Sequence, residues 1–107
     1  MAMTIRGARY IHILVPCPLG WGAASHDTIR LARLAQESGL FPVFEALHGE
    51  LSQVSKIRRR VPVEEYLRPQ RRFAHLFGDE PDVATIARLQ AAADRNIRRY
   101  GLMNEGE

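Results

Sequence analysis

Tyr10-Ile11-His12-Ile13-Leu14-Val15-Pro16-Cys17-Pro18-Leu19-Gly20-Trp21-Gly22 is the stretch that decides the fold class of this 107-residue chain. Its first six residues form a nearly continuous apolar run rich in β-branched side chains and closed by Pro16. Such a run predicts a strand buried on both faces, which needs neighbouring strands on either side. Two prolines and two glycines between Pro16 and Gly22 then force an irregular turn. The expectation is a loop at the carboxyl end of a strand, where open α/β sheets carry their ligand-bearing loops.

Downstream, Ser25 or Asp27 is placed to cap a helix running to about Ser38. Ile29, Leu31, Ala32, Leu34 and Ala35 supply its broad apolar face, and Gly39 its left-handed stop. Phe41 to Leu47 reads as a second strand, and His48-Gly49-Glu50 as a turn into an extended stretch from Leu51 to Ile57, so a β-hairpin is expected there. Arg58 to Pro62 is a basic connector. A short helix over Val63 to Leu67 follows, stopped by Pro69, and a further turn covers Arg72 to Phe77. Asp79, Glu80, Pro81 and Asp82 open a last helix that runs to about Tyr100 and ends at Gly101, with Arg98 and Arg99 in its final turn. Val83, Ile86, Ala87, Gln90, Ala93, Ile97 and Tyr100 make its apolar stripe. The fold class expected is α/β, a short parallel or mixed sheet with flanking helices. Tyr10–Val15, the crossover helix and Phe41–Leu47 could pair as one parallel β-α-β unit. Two strands are too few for such a sheet, so residues 1–107, read as a single domain, look like part of a larger one.

Composition bounds the function. The chain is 46% hydrophobic and 25% charged, which excludes the disordered and membrane classes. No apolar run approaches a spanning length, and Met1-Ala2-Met3-Thr4-Ile5-Arg6 lacks the apolar core of a secretory signal, so a cytoplasmic protein is expected. One cysteine, Cys17, excludes an internal disulfide, and one thiol makes no four-ligand metal site without help from another segment or chain. The net charge of +3 reflects arginines grouped at 58–60, at 68, 71 and 72, and at 95, 98 and 99.

From Tyr10 to Trp21 the sequence resembles a late segment of the β subunit of pyruvate:ferredoxin oxidoreductases, where a strand enters a Pro-Cys-Pro-X-Gly-Trp loop. The resemblance continues through Thr28–Glu45, with its helix, glycine stop and aromatic-proline strand. It resumes at Pro62-Val63-Glu64-Glu65-Tyr66-Leu67 and runs on to Leu76. It implies a partial thiamine-diphosphate-binding fold, the C-terminal part of a β subunit whose upstream thiamine-binding part is absent. It further implies oxidative decarboxylation of a 2-oxoacid, pyruvate foremost, to acyl-coenzyme A, with electrons passed through [4Fe-4S] clusters to ferredoxin. Thiamine diphosphate with Mg, the [4Fe-4S] clusters, coenzyme A, ferredoxin, the remaining β portion and the α, γ and δ subunits are the implied cofactors and partners. Cys17 falls where the family places a thiolate ligand of the cluster nearest the thiamine, and thiolates are what hold cluster irons. The family's other cluster cysteines and its Gly-Asp-Gly…Asn diphosphate motif have no counterpart in these residues. The isolated chain is therefore expected to be inactive.

Other residues carry plainer readings. His12, His26, His48 and His75 have no spacing for a shared metal, and His12 is expected in the core. Trp21 is expected to plug the core. Glu64 and Glu65, adjacent on a helix, diverge and do not form an acid and base pair. The arginine clusters support alternatives of a different class, a small basic module for nucleic acid or a stand-alone interaction module with no catalytic role, whose arginines would be solvated or interface charges; Tyr66 and Phe73 sit at packing intervals and form no base platform.

Overall fold

His48 and Gly49 both take positive φ, 53° and 80°, the pair of left-handed residues that a two-residue type I′ hairpin demands. They join β1 (Phe44–Leu47) to β2 (Glu50–Val54), which pair antiparallel with Phe44 opposite Val54 and Leu47 opposite Glu50. A register shift between Glu45 and Ala46 bulges the ladder. This hairpin is the sheet of the computed structural model, which describes Thr4 and residues 6–103. Met1, Ala2, Met3 and Ile5, read above for a signal, lie outside the described residues.

The helices follow their local signals. A one-turn helix, α1, spans Pro18–Trp21, and a 3₁₀ turn at Ser25–Asp27 leads into α2, Thr28–Glu37. Gly39, at φ 90°, turns the chain sharply after α2, and Asn96 Nδ2 donates to its carbonyl at 2.9 Å. Then come α3 (Val63–Leu67), a 3₁₀ helix at Arg71–Leu76, and α4 (Val83–Tyr100). Pro62 precedes α3 in an extended conformation, and Asp82 caps α4 by accepting from the backbone N–H of Thr85 at 3.1 Å. Gly101, left-handed at φ 59°, closes α4.

Apolar side chains from these helices converge. Leu31, Leu34 and Ala35 of α2 meet Val63, Tyr66 and Leu67 of α3, Leu76 of the 3₁₀ helix and Ala93 of α4, with Val61 from the basic connector. A second, smaller cluster joins Ile57, Ile97 and Leu102 beside the base of the hairpin. Phe44 of β1 stacks on Tyr100 of α4 with centroids 4.8 Å apart, fastening the hairpin to the helical layer. Polar ties complete the join: Gln90 Oε1 accepts the N–H of Val63 at 3.0 Å, and Arg60 pairs with Asp94.

Several sequence expectations are corrected. The sheet is antiparallel, neither parallel nor mixed, and residues 8–17 form no strand. Tyr10, Ile11, Ile13 and Val15 are 69–85% exposed instead of buried on both faces. A strand is stabilised by its neighbours, and the described residues offer none to this one, so only Leu14 reaches the core. His12 is likewise exposed, its ring edge-on to Phe41 at 5.2 Å. Asp27 stands at the N-cap of α2 without a side-chain cap bond and faces Arg30 at 3.8 Å instead. Ile29 is 74% and Val83 69% exposed, so the apolar faces of α2 and α4 are narrower than their sequences suggest.

Candidate functional site

The backbone of Cys17 is extended, φ −116° and ψ 99°, and the residue stands at the N-cap of α1. Pro18 fills the first helical position, where a missing N–H costs nothing. The Cys17 carbonyl accepts the N–H of Trp21 at 2.8 Å, and its exposed Sγ accepts the N–H of Gly20 at 3.4 Å. Two glycines make this geometry possible. A Cβ on Gly20 would stand 3.2 Å from the sulfur, and one on Gly22 would strike the Cβ of Arg71 at 2.5 Å. Gly22 is left-handed at φ 69°, and its carbonyl accepts the N–H of Arg71 at 2.9 Å. The expected irregular loop is thus a single helical turn laid against the Arg71–Leu76 3₁₀ helix.

Trp21 completes the turn that Cys17 begins. Its ring is half-buried, meets Tyr66 edge-on at 80° with centroids 6.5 Å apart, and carries the Arg72 guanidinium 4.1 Å above it. Arg72 also lies over Phe73 at 4.6 Å, donates from Nε to Gln70 Oε1 at 2.7 Å and donates to the Tyr66 hydroxyl at 3.3 Å. Gln70 is fully buried and donates to the Tyr66 carbonyl at 2.6 Å. Trp21 therefore packs against the core as expected, while its open face is covered by a cation. The sequence marks Arg72 only as a member of an arginine cluster, because its contact with Trp21 is between residues distant in the chain and leaves no local signature.

The soft donor of this turn is one exposed thiol, that of Cys17. Among the described residues no group of three or more His, Cys, Asp and Glu side chains could hold a metal ion. A soft, exposed sulfur receiving one backbone N–H suits a single corner of an iron–sulfur cluster, whose properties respond to such hydrogen bonds. Two open grooves, one lined by Glu64, Arg68, Phe77, Pro81, Val83 and Ile86 and the other along the hairpin, do not include Cys17.

Many arginines of the clusters are engaged internally. Arg59 faces Glu65 at 3.5 Å, and Arg68 faces Glu64 at 3.4 Å while covering Phe77 at 4.4 Å. Glu64 and Glu65 thus serve separate surface pairs, as their adjacency on a helix dictates. Tyr66 is buried and Phe73 lies beneath Arg72, so neither offers a free face for base stacking. No helix among the described residues is long and apolar enough to cross a membrane.

No family model matches the chain. Individual relatives do. Pyruvate synthase subunit PorB of Methanosarcina barkeri is 46% identical over 101 residues, covering 94% of this chain and 34% of that subunit. Pyruvate synthase subunit PorB of Methanocaldococcus jannaschii is 39% identical, covering 94% and 32%. Ketoisovalerate oxidoreductase subunit VorB of Pyrococcus abyssi is 34% identical, covering 77% and 27%. By sequence this chain is a PorB-type segment, spanning about one third of the pyruvate synthase subunits that it matches.

Proposed function

We propose that this chain serves as part of the β subunit of a 2-oxoacid:ferredoxin oxidoreductase, with Cys17 as a thiolate ligand of a [4Fe-4S] cluster. The observation that carries the reading is 46% identity to a PorB subunit over 94% of the chain, a match long enough to include the Cys17 turn and the α3 segment. Pyruvate is the proposed substrate, since relatives matched over 94% of the chain are pyruvate synthase subunits. Thiamine diphosphate with Mg supplies the decarboxylation chemistry when bound, the clusters the electron path to ferredoxin, and coenzyme A the acceptor for the acyl group. The residues that hold the diphosphate belong to the other two thirds of a PorB-type subunit, and the chain works with that portion and the partner subunits in the cytoplasm.

Its own contribution is positional. Pro16 and Pro18 fix the backbone on either side of Cys17, the N–H of Gly20 points at the sulfur, and Gly22 lets the turn lie flat on Arg71. An exposed sulfur on a rigid turn can be presented to a cluster whose other ligands come from elsewhere.

The test is co-expression with the remaining β portion and the partner subunits of a pyruvate synthase, followed by anaerobic reconstitution with iron and sulfide. Wild type should join the complex and support pyruvate-dependent electron transfer. Cys17→Ala should join equally well but lack one cluster's worth of iron. Full iron content and activity in Cys17→Ala would remove the ligand role.

A further inference from the structure

We infer that Arg72 is the positioning residue for Cys17, acting through Trp21 to hold the turn that presents the sulfur. The inference deepens the ligand reading and rests on it for its purpose, though its geometry stands independently. Cys17 and Trp21 are the two ends of one turn, joined by the hydrogen bond from the Trp21 N–H to the Cys17 carbonyl. Whatever fixes the indole fixes the orientation of that peptide and, through it, the direction of the Cys17 side chain.

The turn has little hold of its own. The helix is four residues long, contains no buried residue, and carries a wholly exposed Leu19. A single turn fixes several dihedrals for one or two hydrogen bonds, and in isolation it does not persist in water. Besides the edge-on contact of Trp21 with Tyr66, its anchors lie on the Arg71–Leu76 helix: the bond from the Arg71 N–H to the Gly22 carbonyl, and the Arg72 guanidinium on the indole face.

Arg72 suits the task because its own position is overdetermined. Its guanidinium contacts two aromatic rings while donating to Gln70 and to the Tyr66 hydroxyl. Gln70 is itself locked by its bond to the Tyr66 carbonyl in the core. A rigid planar fork can stack and donate at once, whereas the ammonium of lysine is a point charge on a flexible stem. The chain of contact therefore runs from the buried Tyr66–Gln70 pair through Arg72 and Trp21 to Cys17.

The experiment uses the full chain, alone and in the reconstituted complex. In the chain alone, amide exchange at Trp21 and Ala23, whose N–H groups close the turn, reports its opening. Arg72→Met should accelerate both amides about threefold, the factor carried by a modest cation–π contact, with exchange in α4 unchanged. Arg72→Lys, the gentler variant, should fall between wild type and Arg72→Met. Trp21 is the sole tryptophan, so its fluorescence should show greater acrylamide quenching in the same order. In the complex, Arg72→Met should retain iron while the electron paramagnetic resonance spectrum and the midpoint potential of the reduced cluster shift. Unchanged exchange and quenching in both Arg72 variants would overturn the inference, as would an unaltered spectrum and potential in the loaded complex where Cys17→Ala loses iron. Full iron in Cys17→Ala alongside loosened amides in Arg72→Met would instead strike the ligand reading alone, leaving the clamp intact.

Discussion

Asp82 uses both carboxylate oxygens at the start of α4, one accepting from the backbone N–H of Thr85 at 3.1 Å and the other from its hydroxyl at 2.8 Å. These bonds favour the ionised form and hold its pKa below the usual 3.8, the side-chain bond contributing most. The folded state therefore binds this proton less readily than the unfolded chain. The stabilisation is complete above the unfolded carboxylate range and is lost as the pH falls through the lowered folded value. An NMR titration of the Asp82 carboxyl should place its midpoint below 3.8, and Asp82→Ala should flatten the acid limb of the stability curve. Gly39 presents a different single-residue constraint. It holds φ at 90°, and a Cβ there would lie 2.9 Å from both the Ala93 carbonyl oxygen and Ile97 Cγ1. Gly39→Ala combines backbone strain with overpacking, so a loss of about 2–4 kcal/mol is expected in urea unfolding.

At the scale of elements, what could be read in advance divides by whether the signal is local. Pro62 before Val63, Asp82 before Val83 and Gly101 after Tyr100 each act within one turn, and α3 begins, and α4 begins and ends, beside those residues. The hairpin was legible for the same reason, since His48-Gly49 needs only its own dihedrals to turn the chain. The Tyr10–Val15 run is the opposite case. Its composition states what it would do in a wide sheet, but a strand exists only with partners, and the described residues provide none. The Cys17 site was half legible: its prolines and glycines announce a constrained turn, whereas Arg72 and Tyr66 join it only through packing. The hairpin's attachment can be tested. Phe44 is 43% exposed, so its stacking on Tyr100 holds the hairpin more by ring contact than by burial. Phe44→Ala should cost about 1 kcal/mol. Amide exchange should accelerate across β1 and β2 while α2 and α3 keep their protection.

The molecule as a whole has a radius of gyration of 15.8 Å, against about 13 Å for a compact domain of this length. The excess fits a helical core from which the hairpin and the segment before Cys17 extend. That segment presents Tyr10, Ile11, Ile13 and Val15, all at least 69% exposed, on backbone that belongs to no ladder. An exposed apolar stretch outside any ladder recruits other strands. In the isolated chain the available recruit is another copy, so sedimentation velocity should reveal association that increases with protein concentration. Ile11→Lys combined with Ile13→Lys should reduce it sharply without changing the helical circular dichroism, because both side chains are exposed. If the double variant associates as strongly as wild type, the sticky surface lies elsewhere, with exposed Leu19 and Ile29 the next candidates. When the remaining portion of a PorB-type subunit is supplied, the same two lysines should impair joining to it. The segment that associates in isolation would then be the one the larger assembly covers.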